Sequence, residues 1–347
     1  MSTGPSVTII TVTHDHAPFI GPCIESVLAQ SRDDWELVVV DDGSSDGTLD
    51  MVNRYRDARI QTLALPARGL AGLAESYNAA LERSRGPLVA ILEGDDRWPP
   101  TKLGTQLPLF DDPAVVLSYG AAALIDEYGC TFATYRRRPR PAVSAANLPT
   151  GAILPALMQQ NLIVAATVMV RRSALEGIGG FWQPAGIPYV DHPTWTRLAL
   201  EGPFAYAPEV VGMWRRHRTQ WTTESATGTQ PDRTAYLRAV LGEAQRRGMA
   251  ADFALLDALV DEGPSAQQRW AILNAYRLAL LEGGSRDIAR AAFSMVATGR
   301  PAWVLIAVAG IGSRVVGSDI EWLLRATDRF SWPSRRHARR HRLAGRT

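Results

Sequence analysis

Cysteine is nearly absent from this chain. The 347 residues include two, Cys23 and Cys130. That is too few for a disulfide framework and too widely spaced for a Cys-based zinc site, so a reducing cytosol is the expected setting. A long apolar run is missing too. The longest, 301–312, falls short of the roughly 20 residues that a membrane-spanning helix needs. No secretory signal is visible, because the first apolar run, Val7 to Val12, is short and interrupted by threonine. Nor is there an excess of one charge. The 37 basic and 35 acidic residues leave a formal net charge of +2, which excludes a chain that works as a polyelectrolyte. No internal repeat is present. What remains is ordinary for a globular enzyme, with 46% hydrophobic and 21% charged residues. The length suits two domains, or one large domain with an appendage.

What is present is an alternation. Val7 to Val12, Trp35 to Val40, Arg59 to Leu65 and Leu88 to Leu92 are short β-branched or apolar runs and read as buried strands. Between them, Ile20 to Gln30, the stripe Leu49, Val52 and Tyr55, and Glu75 to Ser84 read as helices. Such spacing predicts βαβ units and a doubly wound, mostly parallel sheet flanked by helices. The polar loops after strands one, two and four then lie along one sheet edge, so Asp15, Asp41, Asp42, Glu93, Asp95 and Asp96 are expected to share a cleft. Glu93-Gly-Asp-Asp96 puts three carboxylates in four residues at the end of a buried strand. Acidic oxygens so placed suit a hard cation, Mg²⁺ or Mn²⁺; a solvated acidic turn is the plain alternative. The second half is less regular. Strands are expected at Ala114 to Tyr119, Val164 to Val170 and Pro208 to Trp214, and helices at Ile153 to Met158 and Thr194 to Leu200. Tyr135 to Pro141 reads as a loop, and 234–261, 265–282 and 286–298 as helical.

Together these segments resemble the family-2 inverting glycosyltransferases of GT-A fold, over about residues 6–221. Val7-Thr-Ile-Ile-Thr-Val-Thr-His-Asp-His-Ala17 is similar to the family's opening strand and nucleotide loop, and Ser26-Val-Leu-Ala-Gln30 to its first-helix signature. Val39-Val-Asp-Asp-Gly-Ser-Ser-Asp-Gly-Thr48 matches nearly residue for residue. Leu92-Glu-Gly-Asp-Asp96 resembles the DXD metal motif, followed by Trp98-Pro-Pro-Thr-Lys-Leu103 and Gln106. Asp191 stands where the family carries its catalytic carboxylate, and Trp214-Arg-Arg-His217 resembles the later Arg- and His-containing motif. Four positions depart from the pattern. Glu93 replaces the first Asp of the metal motif, His14-Asp15 the commoner Tyr-Asn, Tyr77 an Arg, and Val190-Asp191 carries one carboxylate.

The resemblance implies a metal-dependent inverting transfer of a sugar from a nucleotide-diphospho-sugar, UDP-linked by expectation, to an acceptor hydroxyl. Asp191 is then the general base. Asp95, Asp96, Glu93 and His217 are the metal set, with Mn²⁺ or Mg²⁺ as the ion, and Thr13, His14, Asp15, Asp42, Asp95 and Arg215 hold the donor. Ser44 and Ser45 are expected only to cap a helix, and His16, Cys23 and Cys130 to be structural. The acceptor is expected to be a saccharide, a lipid-linked molecule or a small molecule, in bacterial cell-envelope or exopolysaccharide biosynthesis. No nucleic acid is expected. A catalytically silent nucleotide-sugar-binding protein is the alternative that Glu93 and Tyr77 keep open. A sugar-phosphate nucleotidyltransferase is less well matched, since Thr-His-Asp-His stands where its Gly-rich loop belongs. The expected division is a donor half at 1–105, an acceptor and catalytic half at 106–225, and a C-terminal helical segment with a basic tail at 226–347. From Arg335 onward that tail has six Arg, two His and no acid. Trp303 to Val308 and Trp322 to Leu324, beside Arg300 and Arg314, have two readings: an interfacial anchor on the inner face of the plasma membrane, or a helical subdomain of a cytosolic enzyme.

Overall fold

The computed structural model describes residues 4–136, 150–217, 220, 231–261 and 292. The expectations for 137–141, 265–282, 286–298 and the apolar and basic segments beyond 300 lie outside these residues. The fold below is that of one compact unit, Met1–His217 with Pro231–Asp261.

Four parallel strands form its first half: β1 (Val7–Thr13), β2 (Trp35–Asp42), β3 (Ile60–Leu65) and β4 (Leu88–Ile91). They are joined by α1 (Ala17–Leu28), α2 (Thr48–Val52) and α3 (Leu73–Arg83). The second half adds β5 (Leu117–Ile125), β6 (Thr131–Tyr135), β7 (Met169–Arg171) and β8 (Phe204–Arg215) to the same sheet. Its helices are α4 (Lys102–Gln106), α5 (Leu154–Gln159), α6 (Arg172–Gly177), α7 (Asp191–Leu198) and α8 (Thr234–Arg246). The strand order is β3-β2-β1-β4-β7-β5-β6, with β8 paired to β5.

Alternation along the strands divides the core between the two faces. Val7, Ile9, Leu37, Val39, Leu88 and Ala90 pack with Ile20, Ile24 and Val27 of α1. Ile10, Val12, Val38, Val40, Val89 and Ile91 pack on the other face with Ala80 and Leu81 of α3, Trp195 of α7 and Leu237 of α8. Helices on both faces and near-continuous apolar strands are what a doubly wound sheet requires.

The strand ends are level. Thr13 pairs with Asp41, and β4 continues past Ile91, with the Gly94 amide donating to the Val12 carbonyl at 3.1 Å. That continuation sets Glu93 to Asp95 directly beside Thr13. Gly94 permits it, because a Cβ there would fall inside van der Waals contact of the Thr13 side chain. Gly43 closes the turn after β2 at φ 72°, with the backbone of Ala67 where a Cβ would sit.

The second half departs from the expected pattern in three places. The segment read as a strand over Val164 to Val170 begins as a 3₁₀ turn, Ala165–Thr167, and only Met169–Arg171 pairs, antiparallel to β4 and β5. Its turn is fixed from outside: the Trp98 indole donates to the Ala166 carbonyl at 2.8 Å, and the Gln106 amide to that of Thr167 at 2.9 Å. Strand β6 is an exposed hairpin partner of β5, and its half-polar sequence carries no strand pattern. Strand β8 runs through Pro208 because the register with β5 shifts around Gly120 to Ala122, where no proline amide is needed.

Candidate active site

The site begins where the parallel strands end. After β1, Thr13 is buried and its hydroxyl lies 3.2 Å from His16 Nδ1. His14 places Nδ1 2.9 Å from the Asp42 carbonyl oxygen. Asp15 adopts φ 52°, an unusual conformation for a non-glycine residue. Its backbone amide donates to Ser44 Oγ at 3.0 Å and its carboxylate accepts the Ser45 amide at 2.7 Å. Ser44 and Ser45 therefore tie the two loops together rather than capping α2; that helix starts at Thr48, whose amide and hydroxyl bond Asp46. Asp42 is buried, and its carboxylate accepts the Arg68 and Gly69 amides at 3.2 and 3.1 Å. It thus shapes the loop after β3.

The acidic motif after β4 meets the end of β8. The Arg215 amide donates to Asp96 Oδ1 at 2.7 Å, and its guanidinium donates to the Asp95 carbonyl at 2.6 Å and to the Asp126 and Glu127 carbonyls. Arg215 is thereby committed to holding the Asp95-Asp96 turn against the β5–β6 hairpin, and it lies over the Phe19 ring. Two residues on, His217 Nε2 is 3.0 Å from Asp95 Oδ2, with both side chains buried. The ligand atoms of Glu93, Asp95 and Asp96 lie within 4.8 Å of one another, and so do those of His16, Asp95 and His217. Asp95 belongs to both sets. The sequence reading treated His16 as structural. The signal available for it was its place at a strand end beside a second histidine, two residues after Asp15's neighbour His14.

Electrostatics separate these carboxyl groups. Burial works to raise Asp95, but the His217 hydrogen bond and the charges of His16 and His217 outweigh it and hold the group below the usual carboxylate range. Burial pushes Asp96 well up, reinforced by Asp95 and Glu93. Glu93 is pushed up to about 8 by burial and by the charges of Asp95 and Asp191, against a hydrogen bond from Tyr77. Tyr77 is itself buried and stacked on Phe181, 4.9 Å between ring centroids. Where an Arg was expected, the site has a neutral phenol donating to Glu93.

The residues fit a divalent cation. Oxygen and imidazole donors converge, and Asp96 Oδ2 is buried with no hydrogen-bond partner. A buried carboxylate oxygen left unpaired is costly unless a cation or proton satisfies it. Mn²⁺ and Mg²⁺ both accept such a set.

Asp191 approaches from the other side. It is the first residue of α7, one position past the cap residue Val190, which makes no side-chain cap bond, and its carboxylate accepts the His192 amide of the first turn. The Asn161 amide donates to Asp191 Oδ2. Burial raises the Asp191 carboxyl, and the His192 amide and Asn161 only partly offset this. The next residue, His192, is fully buried, with Nε2 2.8 Å from the Leu157 carbonyl oxygen and Nδ1 2.5 Å from the Tyr236 hydroxyl. That anchor fixes where α7 starts and so where Asp191 points. The Asp191 charge is near enough to Glu93 and to Tyr77 to push both of them up. Asn161 lies 30 residues upstream of its partner, and no local motif marks it.

The Glycosyl transferase family 2 model matches residues 8–179. A protein of Bacillus subtilis (strain 168), provisionally named as teichuronic acid biosynthesis glycosyltransferase TuaG, is 31% identical over 204 residues, 58% of this chain and 75% of that protein. The Escherichia coli UDP-Glc:alpha-D-GlcNAc-diphosphoundecaprenol beta-1,3-glucosyltransferase WfaP is 25% identical over 199 residues, 56% of this chain and 71% of that one. Among solved structures, the mannosyltransferase PcManGT from Pyrobaculum calidifontis, in complex with GDP-Man and Mn²⁺, superposes with a TM-score of 0.55 at 21% identity, covering 91% of this chain and 87% of its own. That likeness shows the fold.

Proposed function

Because the chain belongs to glycosyl transferase family 2 and is a glycosyltransferase, we propose that it transfers a sugar with inversion from a UDP-sugar to a hydroxyl of a lipid-linked saccharide, in bacterial cell-envelope polysaccharide synthesis. The observation that carries the reading is the cluster at the end of β4, where the ligand atoms of Glu93, Asp95 and Asp96 converge and His217 meets Asp95, with the Asp191 charge near enough to act on Glu93. One flank thus suits a diphosphate and the other a hydroxyl proton.

On the donor flank, Thr13, His14, Asp15 and Asp42 form the wall for the nucleoside. Asp95, Asp96, Glu93 and His217 hold a divalent cation. When bound, that ion stabilises the negative charge of the departing nucleoside diphosphate as a Lewis acid. We assign Arg215 to positioning, since its guanidinium holds the Asp95 carbonyl. On the acceptor flank, Asp191 accepts the proton of the acceptor hydroxyl. The acceptor oxygen forms its bond to the anomeric carbon as the carbon–diphosphate bond breaks, and the electron pair leaves with the diphosphate. A single displacement inverts the anomeric centre and needs no enzyme nucleophile.

The UDP and polyprenyl-linked assignments draw on what WfaP is named for. A lipid-linked acceptor brings the enzyme to a membrane surface, and the Trp- and Arg-rich sequence beyond residue 300 suits peripheral contact there. Among the described residues, no helix is long and apolar enough to cross a membrane.

A thermal-shift screen of UDP- and GDP-sugars, with and without Mn²⁺, tests the donor. Ligand binding stabilises the folded state by mass action. The expected result is a melting temperature raised by about 3–6 °C by one UDP-sugar with Mn²⁺, and loss of the Mn²⁺-dependent part in Asp95→Ala. The absence of any shift with any nucleotide sugar rejects the donor assignment.

A further inference from the structure

His16 has no role in the reading above, yet its ring is held at the cation cluster. Its ligand nitrogen lies within 4.8 Å of those of Asp95 and His217. The two imidazoles are edge-on, at 89° with ring centroids 6.3 Å apart, so they reach the carboxylate from different directions instead of stacking. Three features fix the His16 ring. Its backbone amide donates to Thr48 Oγ1 at 2.8 Å, and that hydroxyl donates to Asp46 at 2.5 Å. The Thr13 hydroxyl lies 3.2 Å from Nδ1, the kind of partner that orients a ligating imidazole and leaves its other nitrogen for the ion. Gly94 gives the ring its room, because a Cβ there would stand 2.9 Å from Nδ1. The ring does not cap α1, which has no side-chain cap bond at His16. A strictly structural histidine would not need this placement.

We infer that His16 is a direct ligand of the cation, and that with Asp95 and His217 it forms a two-imidazole, one-carboxylate set that accepts a first-row transition ion such as Mn²⁺ more readily than Mg²⁺. This rests on the cation-dependent reading of the site. Mg²⁺ is a hard ion that prefers oxygen and keeps its waters. Imidazole nitrogen shifts affinity toward the later divalent ions. The Glu93 and Asp96 oxygens remain available to either ion, so His16 sets the preference while the carboxylates supply the charge.

The test is ion binding by the full chain, read without turnover. Mn²⁺ is titrated by the electron paramagnetic resonance signal of the free ion, with and without UDP. Mg²⁺ is measured by competition, and Co²⁺ by its visible absorption. In His16→Ala and His16→Gln, Mn²⁺ binding is expected to weaken about 10–100-fold, Mg²⁺ binding by about threefold or less, and the Co²⁺ bands to change. Both variants should keep the wild-type melting temperature in EDTA, since the bonds that fix this turn are made by the His16 backbone. If Ala unfolds, Gln supplies the measurement. Mn²⁺ binding equal to wild type in a folded variant overturns the ligand assignment and leaves the cation-dependent reading standing. A wild-type chain that binds neither Mn²⁺ nor Co²⁺, alone or with UDP, overturns both.

Discussion

The charges of Asp95 and Asp191 both act on Glu93, yet their own surroundings treat the two carboxyl groups in opposite ways. Around Asp95 the sequence gathers partners: His217 at 3.0 Å, His16 beside it, and the Asp96 and Glu93 carboxyl groups. Burial there is outweighed, and the carboxyl stays below its usual range. Around Asp191 there is one amide, from Asn161, and the helix start. Burial wins, and the carboxyl rises. The same side chain is thus held toward its anionic form beside two imidazoles and pushed toward its protonated form where burial is less well compensated. Pairs of carboxyl groups pushed apart by environment mark a division of labour. A donor diphosphate needs charge that never leaves; an acceptor hydroxyl needs a base that can take a proton.

The most forceful way to break that contrast is to neutralise the base alone. Asp191→Asn keeps the volume and can still meet Asn161. It should lower kcat by about 10²–10⁴ while leaving Mn²⁺-dependent UDP-sugar affinity close to wild type, measured by single-turnover assay and calorimetry. Unchanged turnover removes Asp191 from the chemistry. Lost donor binding moves it to the other flank.

A second prediction tunes the base instead of removing it. Only the ionised Asp191 accepts a proton, so kcat/KM should fall as pH drops through its raised value, above the ordinary carboxylate range. Asn161 donates to the charged form and holds that value down. In Asn161→Ala the acidic limb should therefore move to higher pH by about one pH unit, with the plateau rate at high pH changed much less. A limb that stays in place means that Asn161 serves packing only.

How far this contrast was legible differs between the flanks, for a physical reason. The donor flank is built from strand ends and the turns that follow them, so each element carries its own local signal. Val7 to Thr13 and Trp35 to Asp42 are rich in β-branched and apolar residues and buried throughout, and the Asp41-to-Gly47 turn is rich in residues that turn chains. The acidic motif could be placed because a run of carboxylates cannot stay in a buried strand. The acceptor flank is assembled over long distances. Asn161 meets Asp191 only because α5 ends where α7 begins, and β6 pairs as an edge strand without an apolar face. Arg215 looked like a phosphate contact in a basic motif, but its guanidinium is taken up by three backbone carbonyls. His16 has a weak local signal, its place beside His14 at a strand end, but the Gly94 and His217 that close around it come from distant segments.

The smallest effect should come from Glu93, which borders both flanks and feels the charges of both. In the folded chain its carboxyl is pushed up to about 8, whereas an unfolded glutamate titrates near 4.3 (roughly). The folded state therefore holds this proton more tightly. The stability it contributes is full below about pH 4 and is lost as pH rises through about 8. Glu93→Gln removes that dependence while keeping an acceptor for Tyr77. In EDTA the variant should melt close to wild type at about pH 5 and up to about 10 °C above it at about pH 8. Added Mn²⁺ should narrow the gap, because the cation then satisfies the wild-type carboxylate and has one ligand fewer in the variant. Equal melting at pH 8 in EDTA would mean that the Glu93 charge is relieved by water. The acidic motif would then be a solvated edge at that residue, and the contrast between the flanks would rest on Asp95 and Asp191 alone.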